Sequence, residues 1–440
     1  MIETVKKIRT VSGVNCQIRL PGSKSVTHRA LLMAALANGD SVIKNPLKAQ
    51  DTMLTARALQ QLGAQVVWDD EQETVSITPP KQRWLQPKEP IMLGNSGTSM
   101  RLLLGLTATG SGKFLLDGSP RLRERPIDPI LKALETLGIK YRCLAMQGFP
   151  PVEIESRGLR GGEVLIDATQ SSQFLSALLI ASPCAQGEMH VGWKQPVASF
   201  PYVQLTLAMM EKLGIEYRWL TPHKISISAP QEYPPLDYQV EADCSSASYF
   251  WAAAALTQGE VYTYPLSPGS PQGDCRLLEV LQQMGCDILW EKEGVRVRRI
   301  EPLKAIDLDM NEIPDMVPTL AVVAACAEGR SHIRNVAHLR VKESDRLHVV
   351  AMELKKFGVP VQELSDGLVI EGGKTRPPDL PIESHDDHRI AMAFAVLGLS
   401  VEGVEIRGAE AVGKSFPSFW DSFELLARSS EDHSSGATAN

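Results

Sequence analysis

The stretch PGSKSVTHRALL, residues 21–32, places four polar side chains where an apolar helix is predicted to begin. Lys24 and His28 are four residues apart, as are Ser25 and Arg29, so on a helix each pair shares one face. Positive charges are disfavoured at a helix N-terminus, because the macrodipole is already positive there. The free backbone N–H groups of a helix start bind anions. We therefore predict an anion site here; the alternative is that Ser25 only caps the helix and the cations are solvated.

Other segments repeat this design, with small polar or cationic residues at the start of an apolar run. They are GNSGTSMRLL, RERPIDPI, DATQSSQFLSALL, SFPYVQLTL, HLRVKESDRLHVV, SHDDHRIAMAF and VGKSFPSFW. Arginine forks bind carboxylate and phosphate groups with two hydrogen bonds. The candidate anion-binding residues in these segments are Gly97, Arg125, Ser171, Ser172, Gln173, Ser199, Lys342, Arg346, Arg389 and Lys414. Together they predict a strongly positive site for a substrate with several negative charges.

Two carboxylates stand where they could transfer protons. Asp315, in MNEIPDMVPTL, precedes an apolar helix as an N-cap or as an anchored general base, and Glu343 lies among charges of alternating sign. Carboxylates do such work when their neighbours tune their pKa values. His385 and His388 are spaced like metal ligands, but the sequence offers no third ligand and Arg389 would repel a cation, so we predict no metal.

These residues are carried by an internal repeat of roughly 73 residues. An Ala/Leu-rich helix followed by a glycine and a β-like stretch recurs at Gly39, Gly112, Gly187, Gly259, Gly329 and Gly403. A second helix ends in Leu-Gly or a similar pair at Gly63, Gly138, Gly214, Gly285 and Gly358. Each of these suits a helix C′ position, where φ is positive. Because one unit buries little core, we predict two α/β domains of three units each, with the ligand in a cleft between them.

Length and composition favour a globular protein of two or more domains without general nucleic-acid affinity. The 440 residues carry a net charge of −7 and are 43% hydrophobic. That length favours more than one domain, and the charge argues against general nucleic-acid binding. The sequence has no apolar run of a membrane span and no signal-peptide pattern at its start, so we expect a cytoplasmic protein. The seven cysteines form no C-x-x-C pair and are predicted to be free thiols.

Seven segments, taken in order, closely resemble the EPSP synthase family of enolpyruvyl transferases, the 3-phosphoshikimate 1-carboxyvinyltransferases. They are PGSKSVTHRALL, GNSGTSMRLL, RERPIDPI, SSQFLSALL, RVKESDRL, DDHRIAMAF and GKSFPSFW. The resemblance runs from about residue 14 to about residue 425. It implies an inside-out α/β barrel-like fold of two domains, each with three copies of one unit. It places residues 1–21 with 242–427 in one domain and 22–241 in the other, and we predict a disordered tail at 428–440.

The resemblance also implies the reaction. The enolpyruvyl group of phosphoenolpyruvate moves to the 5-hydroxyl of shikimate 3-phosphate, by addition and then elimination of phosphate. No metal or organic cofactor is needed. This step belongs to the shikimate pathway, which leads to chorismate and the aromatic amino acids. We expect a monomer with these two small-molecule substrates and without a nucleic-acid or membrane partner.

Site residues carry over by position. The shikimate 3-phosphate ligands would be Lys24, Ser25, Arg29, Ser171, Ser172, Gln173, Ser199, Asp315 and Lys342. The phosphoenolpyruvate ligands would be Lys24, Gly97, Arg125, Gln173, Arg346, Arg389 and Lys414. Asp315 would accept the proton of the 5-hydroxyl. Either Glu343 or Lys24 would protonate the enol carbon, and the sequence leaves that choice open.

Two positions depart from the family pattern. His338 stands where several members have an asparagine that touches the shikimate substrate, so that contact is not carried over. Leu102 stands where many plant and enterobacterial members have proline. Glyphosate mimics phosphoenolpyruvate in this family, and Gly97 leaves room for its phosphonate. We therefore expect glyphosate to inhibit, with a strength that depends on Leu102.

The sequence leaves two rival functions to compare with this one. The sister enzyme that acts on UDP-N-acetylglucosamine shares the six-unit fold, but it typically has Lys-Asn where this chain has Lys24-Ser25. It also uses a loop cysteine, and no cysteine lies between Cys16 and Cys143. A non-enzymatic scaffold of six units is the rival from another class. It gives no reason for polar groups to recur at helix starts beside Asp315 and Glu343.

Overall fold

The computed structural model describes residues 4–428 of the 440-residue chain. Beyond Arg428, the predicted disordered tail lies outside the described residues. The chain divides into two compact units. Unit 1 combines the chain up to Pro21 with the chain from Glu241 onward, and unit 2 spans Gly22–Val240. The middle of the chain therefore forms unit 2, and both ends of the chain build unit 1.

Twelve α-helices occur within residues 4–428, six in each unit. They are α1 (Lys24–Leu36), α2 (Gln50–Gln61), α3 (Gly97–Ala108), α4 (Asp128–Thr136), α5 (Ser172–Ala181), α6 (Pro201–Lys212), α7 (Cys244–Thr257), α8 (Leu277–Gln283), α9 (Val317–Cys326), α10 (Arg346–Lys356), α11 (His388–Leu397) and α12 (Phe419–Arg428).

Twenty-three strands alternate with these helices in the same described part of the chain. They are β1 (Val5–Lys7), β2 (Asn15–Arg19), β3 (Ser41–Lys44), β4 (Gln65–Asp69), β5 (Thr74–Thr78), β6 (Ile91–Met92), β7 (Ser111–Asp117), β8 (Lys140–Cys143), β9 (Val152–Arg157), β10 (Gly162–Ile166), β11 (Met189–Trp193), β12 (Tyr217–Thr221), β13 (Lys224–Ile227), β14 (Asp237–Gln239), β15 (Glu260–Tyr264), β16 (Cys286–Trp290), β17 (Val295–Arg299), β18 (Asp307–Asp309), β19 (Gly329–Arg334), β20 (Val361–Leu364), β21 (Gly367–Gly372), β22 (Ile382–Glu383) and β23 (Glu405–Arg407).

The strands form six small sheets, and five of them share one plan. In unit 2 their orders are β14-β3-β5-β4, β6-β7-β9-β8 and β10-β11-β13-β12; in unit 1 two sheets run β16-β17-β15-β2 and β18-β19-β21-β20. In each of the five, one parallel pair adjoins an antiparallel hairpin. The sixth sheet, β1-β23-β22, keeps the parallel pair and uses β1 as its antiparallel partner. The predicted six-copy α/β repeat is confirmed.

Six helices, one from each repeat, are almost completely buried. In unit 2, α1, α3 and α5 pack against one another, and in unit 1 so do α7, α9 and α11. Their sequences, such as LLMAAL and AVVAAC, are apolar on nearly every side, as a helix enclosed by protein requires. The other helices, such as the amphipathic α4 and α12, bury one face. Each unit thus has a central layer of three helices.

The glycines of the second repeat signature end helices as predicted. Gly63, Gly138, Gly214, Gly285 and Gly358 all have positive φ, from +73° to +112°. A residue with a Cβ is strained in that backbone conformation, so the Leu-Gly pattern is a geometric requirement of the turn that follows the helix. These turns lead directly into the antiparallel strands β4, β8, β12, β16 and the segment before β20.

The prediction for the cysteines is wrong at two positions. Cys244, at the start of α7, and Cys275 form a disulfide, with their Cα atoms 5.3 Å apart and a sequence separation of 31. The remaining five cysteines are free. The sequence offered no C-x-x-C spacing because this pair is brought together by the fold. Among the described residues, no helix is long and apolar enough to cross a membrane.

Candidate active site

The central helices of unit 2 begin with polar residues that are only partly buried, whereas the rest of each helix is buried. In α1, only Lys24 and Ser25 are not buried; in α3, only Thr98; and in α5, only Gln173. All four lie in the first turn of their helix. Each helix therefore presents its polar start at the edge of the apolar layer, and the start of a helix is the end that attracts anions.

The caps of these helices differ from the simplest expectation. Ser25 does not cap α1; the N-cap is Ser23, whose side chain makes no capping hydrogen bond. In α3 the side chain of Ser96 accepts from the backbone N–H of Ser99, and in α5 the side chain of Ser171 accepts from that of Gln173. The first turn of α1 therefore lacks the capping hydrogen bond that stabilises α3 and α5.

Lys24 is oriented by an acid that the sequence reading missed. Its Nζ atom lies 3.4 Å from Oδ2 of Asp51, which is buried at the start of α2. In the sequence, Asp51 has the position of an ordinary first-turn acid, and no local signal connects it with Lys24, 27 residues earlier. The ion pair with this buried carboxylate orients the Lys24 side chain at the start of α1.

Arg29 is held firmly inside unit 2. Its guanidinium donates to the Thr206 and Ser176 hydroxyls, at 2.7 and 3.1 Å, and to the backbone oxygens of Ser25 and Tyr202, at 2.9 and 3.0 Å. Burial lowers the pKa of Arg29 to about 10, with Tyr202 acting in the opposite direction. In this arrangement Arg29 fixes the first turn of α1 against α6.

Arg101 joins α3 to the start of α5. Its guanidinium donates to Oε1 of Gln173 at 2.9 Å and to the Ser171 hydroxyl at 3.3 Å, and it packs on the Phe174 ring. The amide nitrogen of Gln173 in turn donates to the Thr98 hydroxyl at 2.9 Å. Arg101 therefore positions two predicted ligands, although the sequence reading did not include it among the site residues.

Gly97 and Arg125, which are both predicted site residues, lie in direct contact. A Cβ added to Gly97 would lie 2.4 Å from the Cζ and Nη2 atoms of Arg125. Arg125 is buried, and its Nη1 atom donates to the backbone oxygen of Asn95 at 3.3 Å. Only glycine therefore allows this guanidinium to lie against the first turn of α3. Ser172 and Ser199 are also buried in unit 2, and Ser199 has a φ of +56°.

In unit 1 the predicted residues form one network around Arg346. Arg346 is almost completely buried at the start of α10. Its Nε atom lies 2.8 Å from Oδ2 of Asp387, its Nη1 atom 2.9 Å from Oδ1 of Asp315, and its Nη2 atom 2.8 Å from Oε2 of Glu343. Burial alone would lower the pKa of Arg346, but these three carboxylates raise it above the usual arginine value.

Asp315 stands between two arginines and a lysine. Arg389 reaches its Oδ2 atom at 3.0 Å, and Lys342 lies 3.6 Å from its Oδ1 atom. Burial would raise the pKa of Asp315, but the charges of Arg389, Lys342 and Arg346 outweigh it and hold that pKa well below its usual value. The carboxylate is therefore ionised and is a weak base in this arrangement.

In unit 1 the predicted cations are paired with carboxylates. Asp387, Asp315 and Glu343 pair with the guanidinium groups, so the cations there are compensated by acids. Asp387 was not predicted as a site residue. It is completely buried, caps α11 through the backbone N–H of Arg389, and fixes Arg346 with two hydrogen bonds. Its partner lies 41 residues away in sequence, and no local pattern indicates that pairing.

Lys414 is the remaining predicted site residue of unit 1, and His338 is the position whose family contact was not carried over. Lys414 is buried at the end of a short 3₁₀ helix, Ala409–Lys414. His338 is 8% exposed, and its Nε2 atom has no hydrogen-bond partner. Burial, together with the charge of Lys342, lowers the pKa of His338 to about 4. The imidazole is therefore neutral near pH 7.

His385 lies in the loop before α11, and His388 is the first residue of that helix. His385 Nε2 lies 3.0 Å from Oε1 of the buried Glu353, and this contact ties the loop before α11 to α10. Within residues 4–428, no group of three or more His, Cys, Asp or Glu side chains is placed to hold a metal ion.

Comparison with protein families and with known sequences gives one consistent result. The model of the family described as EPSP synthase (3-phosphoshikimate 1-carboxyvinyltransferase) matches residues 8–423. The 3-phosphoshikimate 1-carboxyvinyltransferase of Syntrophobacter fumaroxidans is 58% identical, covering 96% of this chain and 99% of that protein. The protein of the same name from Nostoc punctiforme is 40% identical, covering 93% and 96%.

Solved structures agree with the sequence comparison. EPSP synthase from Acinetobacter baumannii superposes with a TM-score of 0.79 at 30% identity, covering 97% of this chain and 98% of that one. The enolpyruvyl transferase NikO from Streptomyces tendae superposes with a TM-score of 0.77 at 18% identity, covering 96% of each chain, which shows a shared fold.

Proposed function

The chain belongs to the EPSP synthase family, and from this membership we infer that its polar helix starts act on shikimate 3-phosphate and phosphoenolpyruvate. The protein catalyses the 3-phosphoshikimate 1-carboxyvinyltransferase reaction of the shikimate pathway, a step towards chorismate and the aromatic amino acids. The observation that carries this function to individual residues is the Asp315 carboxylate between Arg346 and Arg389. A proton acceptor at this position lies next to two guanidinium groups, which can bind anionic groups with paired hydrogen bonds.

Shikimate 3-phosphate is assigned mainly to unit 2. The hydroxyls of Ser171, Ser172 and Ser199, the amide of Gln173 and the cations Lys24 and Arg29 are its proposed ligands there, with Ser25 beside them. Asp315 and Lys342 are its proposed ligands in unit 1. The polar first turns of α1 and α5 support this assignment, since they are the parts of these buried helices that remain accessible.

Phosphoenolpyruvate is assigned to the arginines and to their neighbours. Its proposed ligands are Lys24, Gly97, Arg125, Gln173, Arg346, Arg389 and Lys414. Gly97 permits the close approach of Arg125, and Arg346 is oriented from behind by Asp387, so both forks are positioned before a substrate arrives.

We assign the proton transfers to residues that touch these ligands. In the addition step, the 5-hydroxyl oxygen bonds to C2 of phosphoenolpyruvate, its proton passes to Asp315, and C3 takes a proton from Glu343 or Lys24. In the elimination step, C3 gives up a proton, the enol double bond returns, and the C2–O bond to phosphate breaks. Glu343 forms an ion pair with Arg346, and Lys24 forms one with Asp51, so each side chain is held in place by a partner.

The deciding experiment measures phosphate release from phosphoenolpyruvate in the presence of a metal chelator. We expect release that depends on shikimate 3-phosphate and is absent when UDP-N-acetylglucosamine replaces it. Release with UDP-N-acetylglucosamine alone would identify the sister activity instead. Folded protein that releases no phosphate with either acceptor would overturn the assignment.

We further propose that the enzyme acts as a monomer in the cytoplasm. The absence of a dimer-sized species in light scattering during size-exclusion chromatography would support the monomer. A mass of twice 48.2 kDa would contradict it.

A further inference from the structure

Both oxygens of the Asp315 carboxylate are held by arginines. Oδ1 accepts from Nη1 of Arg346 at 2.9 Å, and Oδ2 accepts from Nη2 of Arg389 at 3.0 Å. The backbone oxygen of Asp315 lies 3.3 Å from Nη1 of Arg389. Asp315 therefore accepts hydrogen bonds from the same two guanidinium groups that the proposed function assigns to phosphoenolpyruvate.

Arg346 can exchange this partner without moving its anchor. Its Nε and Nη2 atoms are fixed by the buried carboxylate of Asp387, at 2.8 and 3.2 Å. Its Nη1 atom donates to Asp315, and its Nη2 atom donates to Glu343 as well as to Asp387. Asp387 is itself held by the Ser344 hydroxyl at 3.0 Å. An incoming anion would thus replace Asp315 while Asp387 keeps the fork in place.

We propose that Asp315 is an internal competitor for the arginine pair Arg346 and Arg389, and that the anionic group of phosphoenolpyruvate displaces it. Displacement frees the carboxylate to accept the proton of the 5-hydroxyl of shikimate 3-phosphate. The inference rests on the proposed function, which supplies the identity of the anion. It adds that the proton acceptor is engaged by the arginines until the second substrate arrives.

The charges around Asp315 support the same displacement as the hydrogen-bond geometry. Arg389, Lys342 and Arg346 together hold the pKa of Asp315 well below its usual value, against the effects of burial and of nearby Glu343. An anion bound to these cations compensates their charge and so raises the basicity of Asp315. The carboxylate becomes a stronger base when both substrates are present, which is when the reaction needs it.

The test is direct calorimetric binding of phosphoenolpyruvate to the enzyme without shikimate 3-phosphate. If Asp315 competes for the arginines, Asp315→Asn binds phosphoenolpyruvate more tightly than the wild type, on the order of tenfold. Turnover with both substrates falls in the same variant, because the proton acceptor is lost. A residue that only contacts substrate would give equal or weaker binding when neutralised.

Controls separate this competition from a general change in charge. Asp307→Asn removes one acid from unit 1 at an exposed position, where its partners are Arg334 and His332, and should leave the affinity unchanged. Glu343→Gln removes the charge of the carboxylate that accepts from Nη2 of Arg346, and should give a smaller gain in affinity than Asp315→Asn. If Asp315→Asn does not fold, Asp315→Ser is measured instead, with circular dichroism as the check.

The possible results test the inference about Asp315 and the proposed function separately. Unchanged or weaker phosphoenolpyruvate binding in the folded Asp315 variant overturns the inference, even if wild-type phosphate release depends on shikimate 3-phosphate and the proposed function stands. If wild-type release fails, the function is overturned, and inorganic phosphate then serves as the probe. Tighter phosphate binding in Asp315→Asn still supports competition at the arginines, and equal binding overturns it.

Discussion

At the scale of single residues, Gly97 is the position where one methyl group has the sharpest effect. The Gly97→Ala change places Cβ within 2.4 Å of the Arg125 guanidinium, which is buried and hydrogen-bonded to Asn95. Arg125 must shift, so we expect the KM for phosphoenolpyruvate to rise and inhibition by glyphosate to weaken together. Steady-state kinetics of both proteins measures this.

The wild-type enzyme provides the reference for that comparison. We expect glyphosate to inhibit it in competition with phosphoenolpyruvate, and activity unaffected at millimolar glyphosate would contradict the expectation. Inhibition that is unchanged in Gly97→Ala would remove the steric explanation. Gly192→Ala is the matched control in unit 2, because its added Cβ meets only an ordinary 3.5 Å contact with Leu165.

His338 gives stability a pH dependence with a definite sign. Its pKa is about 4 in the folded protein and about 6.5 in an unfolded chain. Between these values the unfolded chain binds a proton that the folded protein does not. The free energy of unfolding therefore falls as the pH falls below about 6.5, by roughly 2 kcal/mol at pH 5.

Thermal unfolding of His338→Asn checks this contribution. The variant should lose less Tm than the wild type between pH 7.5 and pH 5, since asparagine does not titrate. His348→Asn is the control, because that histidine lies in the same unit and its side chain is 60% exposed. Parallel pH profiles for wild type and His338→Asn would show that the imidazole does not supply the effect.

At the scale of elements, the close packing of α3 on α5 depends on Gly105. An added Cβ would lie 2.4 Å from the backbone oxygen of Ala177, which cannot move without moving α5. We expect Gly105→Ala to destabilise unit 2 by about 1–3 kcal/mol, partly offset by the ~1 kcal/mol that alanine adds to a helix. Arg101 and Gln173 span the same two helices, so the KM for shikimate 3-phosphate should rise as well.

Chemical denaturation and kinetics of Gly105→Ala test that expectation. The control is again Gly192→Ala, which lies in β11 and has no contact closer than 3.5 Å. A variant as stable as the wild type, with the same KM, would mean that α3 and α5 adjust to the methyl group without disturbing the site.

The elements also show what the sequence could predict and what it could not. The repeat glycines, the buried central helices and the polar helix starts are local patterns, and the structure contains them. Asp51, Arg101 and Asp387 act on partners 27, 72 and 41 residues away, so their roles depend on tertiary packing. The cysteine pair Cys244–Cys275 was missed for the same reason. The site residues that were predicted came from motifs, and their partners came from the fold.

At the scale of the whole molecule, ligand binding should raise stability. A ligand that binds the folded chain alone stabilises it by about 2.7 kcal/mol at one hundred times its Kd. We therefore expect shikimate 3-phosphate to raise the Tm, and shikimate without its phosphate to raise it less, because the cations of unit 2 lose their partner.

Differential scanning fluorimetry with the two compounds measures this difference. Lys24→Ala should reduce the Tm gain, while Lys48→Ala, at an exposed ion pair with Asp70 in the same unit, should not. A protein whose Tm does not respond to shikimate 3-phosphate would behave as the scaffold alternative predicts.

The pairing of β2 with β15 has a consequence for biosynthesis. Residues Asn15–Arg19 leave the ribosome early, but their partner strand, Glu260–Tyr264, is made only after all of unit 2. At about 5–20 residues per second, the delay is roughly 10 to 50 s. Unit 2 therefore has all of its sequence available for folding during translation, whereas unit 1 closes only when the end of the chain meets its beginning. A chain truncated during synthesis after Val240 would carry a complete unit 2 and two unpaired strands, β1 and β2.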